Sequence, residues 1–247
     1  MPLTRILPAD LRLSSSISPL SNLVDKTGYH LALGASDNTN NLGVGIAFSR
    51  STNGSNIGSA IIFERTDSNS AGELQFYTKQ STSTGADPTK SLTINADGEI
   101  LQHTQPTFSA YRSSYQTNIS SGGTVVFNAE SFDVGSNFNT STGVFTAPVT
   151  GKYLLAYSVD VSSLDSAASY YWLQLITSNR NYYAPYIPVN QLLSSDGRMT
   201  FQNTVIADMD ASDTAYIVLQ RGAGGVTQAD IVGGASQYSW FHGWLLG

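Results

Sequence analysis

Three histidines and one acidic run are the main candidates for chemistry in this sequence. The histidines, His30, His103 and His242, lie in three different segments of the 247-residue chain. None stands in a pattern typical of a catalytic nucleophile or a metal site. The chain has no cysteine, which excludes thiolate catalysis, disulfides and cysteine-based zinc sites. We therefore expect a protein that is not an enzyme and that binds no cofactor.

The acidic run "DMDASD" is a candidate cation site. Asp208, Asp210 and Asp213 offer carboxylate oxygens, the ligands that Ca²⁺ prefers. The run lacks the glycine and the final glutamate of an EF-hand loop. A solvated loop before a strand explains these residues better, and calcium binding is the alternative.

Composition and charge exclude several classes of partner. The chain has 12 Lys and Arg against 18 Asp and Glu, a net charge of −6, and no basic cluster, so we expect no nucleic-acid partner. Charged residues make up 12% of the chain, about half the usual share. Polar uncharged residues replace them, which is typical of extracellular or particle-surface β proteins. No apolar run approaches the ~18 residues of a membrane span, and the N-terminus lacks the apolar core of a signal peptide.

The elements before residue 105 are short. Residues 1–29 are dotted with proline and serine and predict an extended N-terminal arm. In residues 30–104, three apolar segments centred on Phe48, Phe63 and Phe76 are separated by stretches of Ser, Asn and Gly. This pattern predicts a strand-and-turn meander. Because the strands contribute little core, we expect neighbouring subunits to complete this β-rich anchoring region.

Longer strands follow a boundary near Pro106. Just before it, "SLTINADGEIL" predicts a hairpin that turns at Asp97 and Gly98. After it, "SYYWLQLIT" is apolar on both faces, as in a buried or interface strand. In "KYLLAYSVDV" the two-residue period places one set of side chains on a single face: Tyr153, Leu155, Tyr157, Val159 and Val161. No segment has helical periodicity over three turns, so the chain is predicted to be all-β, with a sandwich over 105–247.

The stretch "STGVFTAPVTGKYLLAYSV", residues 141–159, places a turn, a short strand, a second turn and a long strand in succession. We expect Gly143 and Gly151 to take positive φ at the two turns. Pro148 suits a strand end because it has no N–H donor. Phe145 and Tyr153 are then expected to face the core.

The same stretch resembles the C1q-like domain, a jelly-roll of the tumour-necrosis-factor-like superfamily. The resemblance continues through "PTFSAYRSS", "TVVFNAESFDVG", "MDASDTAYIVL" and "YSWFHGWLL" and covers about residues 106–247. The matching residues are Phe108, Ala110, Val125, Phe127, Phe138, Asn139, Gly143, Phe145, Pro148, Gly151, Tyr153, Asp213, Phe241, Gly243, Trp244 and Leu245. Ser212 stands where the family has glycine, so we expect a different turn there.

The resemblance implies a jelly-roll head over residues 105–247 that assembles as a homotrimer, with aromatic-rich strands about the three-fold axis. The residues expected in the core or the trimer interface are Tyr171, Trp172, Leu173, Tyr153, Phe145, Phe241 and Trp244. The segment 177–197 combines tyrosines, asparagines and two prolines, a composition typical of recognition loops. Its candidate ligand residues are Asn179, Arg180, Tyr182, Tyr183 and Tyr186.

Residues 30–104 stand where animal members of this family have a collagen stalk, and they resemble the β-rich segments of phage tail-fibre proteins. This favours a trimeric, non-enzymatic structural protein on the surface of a phage virion, made in the host cytoplasm. Attachment to the capsid, as a decoration or cement protein, and attachment to the tail, as a short fibre or receptor-binding protein, are both open. The expected partners are other copies of the chain, phage capsid or tail proteins, and a host-surface glycan or protein. The alternative is a soluble, lectin-like C1q module that recognises glycan or protein ligands.

Overall fold

The chain folds into β-strands joined by turns and very short helices, which confirms the all-β prediction. The computed structural model describes residues 11–13, 31–34, 39–50, 56–192, 197–225 and 228–247. The chain divides into two units, Met1–Thr104 and Gln105–Gly247. Within the described ranges, no helix is long and apolar enough to cross a membrane.

The first unit contains a two-stranded and a five-stranded antiparallel sheet. Its strands are β1 (Leu11–Leu13), β2 (Leu31–Leu33), β3 (Gly43–Phe48), β4 (Ser59–Arg65), β5 (Gly72–Thr78), β6 (Thr89–Ile94) and β7 (Ile100–Gln102). Strands β1 and β2 pair with each other, and β3 to β7 follow one another as a meander. Of the arm predicted over residues 1–29, only β1 lies within the described residues.

The turn between β6 and β7 shows why the meander forms. The side-chain oxygen of Asn95 accepts hydrogen bonds from the backbone N–H groups of Asp97 and Glu99, at 3.1 and 2.8 Å. Gly98 takes a φ of +85°, which glycine adopts without a steric cost. The chain therefore reverses at Asp97 and Gly98, as the sequence predicts.

The two faces of the five-stranded sheet differ in composition. Residues that pair directly across antiparallel strands share a face, and the register joins Val44 to Phe63 and Phe63 to Leu74. We call the face that holds these three residues the apolar meander face. Its apolar side chains are Val44, Ile46, Phe48, Ile61, Phe63, Leu74, Phe76, Leu92, Ile94 and Ile100. None of these ten side chains is fully buried.

The opposite face of the same sheet is polar at its centre. Gln75 is buried, donates hydrogen bonds to Glu64 (2.7 Å) and Glu73 (3.0 Å), and accepts one from Tyr77 (2.8 Å). A buried amide with these partners is satisfied and rigid. The meander therefore buries the Gln75 amide and leaves the side chains of the apolar meander face partly in water. A sheet with one solvated face ordinarily does the reverse.

The second unit is a sandwich of two antiparallel sheets. Its elements are β8 (Thr107–Tyr111), β9 (Gln116–Ser120), β10 (Gly123–Thr124), β11 (Ala129–Val134), β12 (Phe138–Asn139), β13 (Val144–Thr146), β14 (Gly151–Leu164), β15 (Tyr171–Thr177), β16 (Asn181–Tyr183), α1 (Val189–Leu192), β17 (Gly197–Met209), β18 (Thr214–Arg221), β19 (Gln228–Ile231) and β20 (Trp240–Leu245). The six-stranded sheet runs β12-β13-β18-β15-β16, with β10 also paired to β18. The seven-stranded sheet runs β11-β8-β20-β14-β19-β9, with β17 also paired to β14.

The core between these sheets is built on aromatic rings. The predicted face of β14 is buried along its whole length, from Tyr153 to Val161, which confirms the two-residue period. The Phe108 ring stacks on Phe145 at a centroid distance of 4.7 Å and meets Phe241 edge-on at 5.0 Å. A Cβ at Gly243 would lie 2.1 Å from a Phe108 ring carbon, so only glycine lets this ring approach β20.

The corner at residues 141–159 forms as predicted, with one exception. Gly143 has a φ of +74°, and Phe145 and Tyr153 face the core with ring centroids 5.5 Å apart. The prediction of positive φ at Gly151 is wrong. The position is crowded instead, because a Cβ would lie 2.7 Å from the Leu245 side chain and 3.1 Å from the Gly247 carbonyl oxygen.

The turn before β18 keeps the backbone of a glycine turn although it contains serine. Ser212 has a φ of +78°, in the left-handed region that side chains with a Cβ rarely adopt. Its N–H donates to the carbonyl of Ala147 at 2.7 Å, and the Asp213 N–H donates to the carbonyl of Asp210 at 3.0 Å. These bonds hold Ser212 in a strained conformation at an exposed position.

Replacing Ser212 with glycine is therefore expected to stabilise the protein. We expect S212G to raise the free energy of unfolding by about 0.5–1 kcal/mol, because glycine takes positive φ without the steric cost. Denaturant unfolding at a fixed protein concentration measures the change. S212A is the matched control, since it keeps the Cβ and is expected to give no gain. An equal gain in both variants would contradict the explanation by strain.

Candidate functional site

The outer face of the seven-stranded sheet is apolar at its centre. On β14, Leu154 pairs with Trp244 of β20 on one side and with Ile206 of β17 on the other. Ile206 is 59% exposed and Trp244 is 56% exposed. Together with their neighbours they form a surface that we call the tryptophan face: Leu154, Ala156, Thr204, Ile206, Trp240, His242 and Trp244.

This face exists because neighbouring residues of a strand point to opposite sides. On β20, Phe241, Gly243 and Leu245 are buried, so the three residues between and before them point outward. Two of these outward residues are tryptophans, where a sheet with one solvated face would have polar side chains. A large exposed apolar surface of this kind marks an interaction site.

The electrostatics of the tryptophan face suit contact with another apolar surface. The rings of Trp240 and His242 stack with centroids 4.2 Å apart. Burial lowers the pKa of His242 below its usual value, so the ring is neutral at neutral pH. Next to Leu154 and Ile206, the face ends at an exposed ion pair, Lys152 with Asp208 at 3.9 Å. An apolar centre with a charged rim is the usual anatomy of a protein interface.

The outer face of the six-stranded sheet carries a second exposed feature, which we call the aromatic cluster: Tyr170, Trp172 and Tyr186. The Trp172 ring lies 5.4 Å from Tyr170 and 4.8 Å from Tyr186, centroid to centroid. The two tyrosine rings are 5.3 Å apart and nearly perpendicular, at 83°. Within the described part of the chain, the buried Nε1–H of Trp172 has no hydrogen-bond partner.

The structure separates the residues predicted for the core or trimer interface into two groups. Five of them are core side chains with at most 1% exposure: Phe145, Tyr153, Tyr171, Leu173 and Phe241. The two tryptophans reach the surface, Trp172 in part and Trp244 by more than half, and they lie in different sheets. Only Trp244 belongs to the tryptophan face.

The segment predicted as a ligand loop, residues 177–197, contains ordered secondary structure. Residues 181–183 form β16, which pairs with β15, and the chain continues into α1. Part of the segment predicted as a recognition loop is therefore a hairpin, in which the N–H of Thr177 donates to the carbonyl of Arg180 at 2.8 Å. Residues 193–196 of this segment lie outside the described residues.

The five candidate ligand residues of this segment have different roles. The Asn179 side chain donates to Asp213 at 2.6 Å, and the Arg180 backbone closes the hairpin. Tyr182 packs against the core. Tyr183 and Tyr186 are both more than half exposed, but only Tyr186 belongs to the aromatic cluster.

The candidates for chemistry do not come together. His103 is hydrogen-bonded to Thr93 at 2.9 Å in the first unit, His242 lies on the tryptophan face, and His30 is outside the described residues. Asp213 accepts from the Asp210 N–H at 2.9 Å, so it caps its own turn. Across the residues with described structure, no group of three or more His, Asp or Glu side chains is arranged to hold a metal ion.

Sequence reasoning missed most of the tryptophan face, although a signal for it is present. In "SWFHGWLL" the outward positions, Trp240, His242 and Trp244, alternate with the buried ones. In "RMTFQNTVIAD" Ile206 is an apolar residue in the outward register of Gln202 and Thr204. An apolar residue on the side of a strand where the neighbouring residues are polar is the signal that indicates the tryptophan face.

The second unit is similar to known proteins. The family model of the C1q domain matches residues 107–246. Among solved structures, the globular domain of zebrafish complement 1qA protein is 18% identical with a TM-score of 0.44, over 58% of this chain and 98% of that chain. Murine APRIL at pH 8.0 is 9% identical with a TM-score of 0.40, over 57% and 99% of the two chains. No curated protein matches the chain.

The family match spans more than half of the chain, and it covers all the strands of the second unit. Those strands form the jelly-roll sandwich that the sequence predicts for residues 105–247. The chain belongs to the C1q domain family.

Proposed function

We propose that this chain is a non-enzymatic homotrimer whose C1q unit associates through the tryptophan face. The observation that carries the proposal is that each unit exposes an apolar sheet face. A sheet that is apolar on one face must bury that face against another layer. Apolar surface stabilises an interface by about 25 cal/mol for each Å² removed from water, so half-exposed tryptophan and isoleucine side chains are a strong driving force.

A second copy of the chain is the occupant that this face fits best. C1q and tumour-necrosis-factor-like domains commonly form trimers and bind ligands. The tryptophan face is uncharged at its centre because His242 is neutral at neutral pH, so identical copies meet without repulsion. Closed cyclic assembly also pairs the face of every copy, whereas an open chain leaves the face unpaired at one end.

This proposal assigns Trp244 to the interface and leaves out Trp172, although the sequence predicts both as core or interface residues. Trp172 lies in the six-stranded sheet, and the tryptophan face lies in the seven-stranded sheet. Contact through one sheet of a sandwich leaves the outer face of the other sheet in water. The aromatic cluster is therefore free for another role.

The first unit supports assembly independently. Its meander leaves ten apolar side chains of one face partly or largely exposed, among them Phe48 at 51% and Ile100 at 63%. A single-layer sheet with few fully buried side chains gains little stability from its own core. We propose that the apolar meander face is covered by the same face of neighbouring copies.

The setting that we propose is the surface of a phage virion, with residues 1–104 as the attachment region. Its support is the resemblance of residues 30–104 to tail-fibre segments, the low content of charged residues, and the need of the meander for neighbouring copies. The alternative is a soluble, lectin-like trimer, which the exposed aromatic cluster favours. Both proposals use the same C1q head without catalysis.

A charge on the tryptophan face is expected to break the trimer. Ile206→Asp would place a carboxylate in a dry interface, at a cost of several kcal/mol. We expect this variant to dissociate on dilution at a higher protein concentration than the wild type, because only the contacts of the first unit remain to hold the copies together. Tyr183→Asp is the matched control, because Tyr183 is also more than half exposed but lies on the other sheet.

Two results of this experiment would contradict the proposed interface. One is an Ile206→Asp trimer that resists dilution as well as the wild type does. The other is dissociation by Trp172→Ala, which would place the interface on the aromatic cluster instead.

The virion setting has its own test. Particles purified from the phage that encodes this chain are expected to contain it, and quantitative mass spectrometry gives its copy number. Hundreds of copies for each particle would indicate capsid decoration, and a few dozen or fewer would indicate the tail. Particles that lack the chain would contradict the virion proposal and favour the soluble trimer.

A further inference from the structure

The aromatic cluster offers two exposed rings at a right angle. Tyr170 is 37% exposed and Tyr186 is 54% exposed, and their planes meet at 83°. The rings are held in place, because both pack on Trp172 and Tyr186 immediately precedes Ile187, whose backbone pairs with Tyr171. The two nearly perpendicular tyrosine rings form a corner that a ring-shaped ligand can enter.

Among the described residues, the side chains that lie beside Trp172 on the outer face of the sheet are uncharged. Trp172 shares the outer face of β15 with Gln174 and Ile176, and Gln220 lies directly across from it on β18. The Gln220 side chain donates to the Gln174 side chain at 3.0 Å, and Ser121 donates to Gln220 at 3.2 Å. Amides and hydroxyls next to aromatic rings suit a neutral polar ligand better than an ion.

The size of the cluster favours a small ligand over a protein. An aromatic side chain contributes about 150–250 Å² when it is fully exposed, so three partly exposed rings offer a few hundred Å² at most. A stable protein interface needs about 800 Å² on each partner. A sugar ring or two covers the available surface.

The chemistry of the rings points to carbohydrate. The face of an aromatic ring is negative and attracts the polarised C–H groups on one side of a pyranose ring. The equatorial hydroxyls of such a sugar then reach the neighbouring amides. The Nε1–H of Trp172 is buried in the cluster and has no hydrogen-bond partner among the described residues, so a ligand hydroxyl that reached it would make a bond that the free protein leaves unmade.

We infer that the aromatic cluster is a binding site for a neutral glycan, with Tyr170 and Tyr186 as the stacking rings and Trp172 as their support. The inference deepens the proposed binding role of the C1q head, and it rests on that proposal for the free access to this sheet in the trimer. It names a neutral glycan as the class of ligand. Of the five residues that the sequence indicates for recognition, only Tyr186 belongs to this site.

The test is titration of the full chain with neutral tetrasaccharides: cellotetraose, maltotetraose, mannotetraose and tetra-N-acetylchitotetraose. Calorimetry measures the affinity for each sugar. We expect at least one of these sugars to bind at millimolar concentration or below. Tyr186→Ala and Tyr170→Ala are each expected to weaken that binding by about tenfold, and Tyr186→Phe, which keeps the ring, is expected to retain it.

Tyr115→Ala is the matched control, because Tyr115 is 50% exposed in the same unit but lies outside the cluster. It is expected to leave binding unchanged. Failure of all four sugars to bind would overturn the inference, and so would binding that Tyr186→Ala leaves intact. Binding only to an anionic tetrasaccharide, tetragalacturonate, would also overturn it.

Sedimentation of the same samples separates this inference from the proposed function. A trimer that binds none of the sugars overturns the glycan site alone. A monomeric wild type overturns the proposed assembly, and the titration then still decides whether the cluster binds sugar. Because Tyr170 and Tyr186 lie at the surface, their variants are expected to fold, and an unchanged melting temperature checks this.

Discussion

The alternation of side chains along β14 and β20 is the constraint on which the second unit depends. A strand with apolar residues in both registers cannot lie at the surface of a monomer without exposing one of them. On these two strands one register supplies the aromatic core, with Tyr153, Tyr157 and Phe241 fully buried. The other register supplies Leu154 and Trp244 of the tryptophan face. The same residue pattern that closes the sandwich therefore creates the surface by which we propose that it assembles.

The core explains why some positions leave little room for a Cβ. The Phe108 ring occupies the space that a Cβ of Gly243 would need, and the Leu245 side chain occupies the space next to Gly151. These approaches hold the final strand against β8 and β14 and orient its tryptophans outward. Ser212 is the opposite case, since its hydrogen-bonded turn imposes a glycine-like backbone on a residue with a Cβ. Local strain there is tolerated because the sandwich around it is well packed.

Much of the fold could be predicted from the sequence, and the reasons for the exceptions are physical. The period of β14, the hairpin at Gly98 and the C1q motif are local patterns, so the sequence indicates them directly. The crowding at Gly151 comes from Leu245, far along the chain, and no local pattern indicates it. The segment after Thr177 has the composition of a loop, but pairing with β15 makes part of it a strand. The tryptophan face and the aromatic cluster depend on which strands become neighbours, which sequence spacing alone does not decide.

We propose different roles for the two outer faces of the sandwich. The neutral, apolar face of the seven-stranded sheet joins copies, and the aromatic cluster on the six-stranded sheet stays available for a ligand. The native mass of the full-length chain at micromolar concentration tests this account most directly. We expect a single species of three times the 26.4 kDa chain mass. A stable monomer with the tryptophan face in water would contradict it.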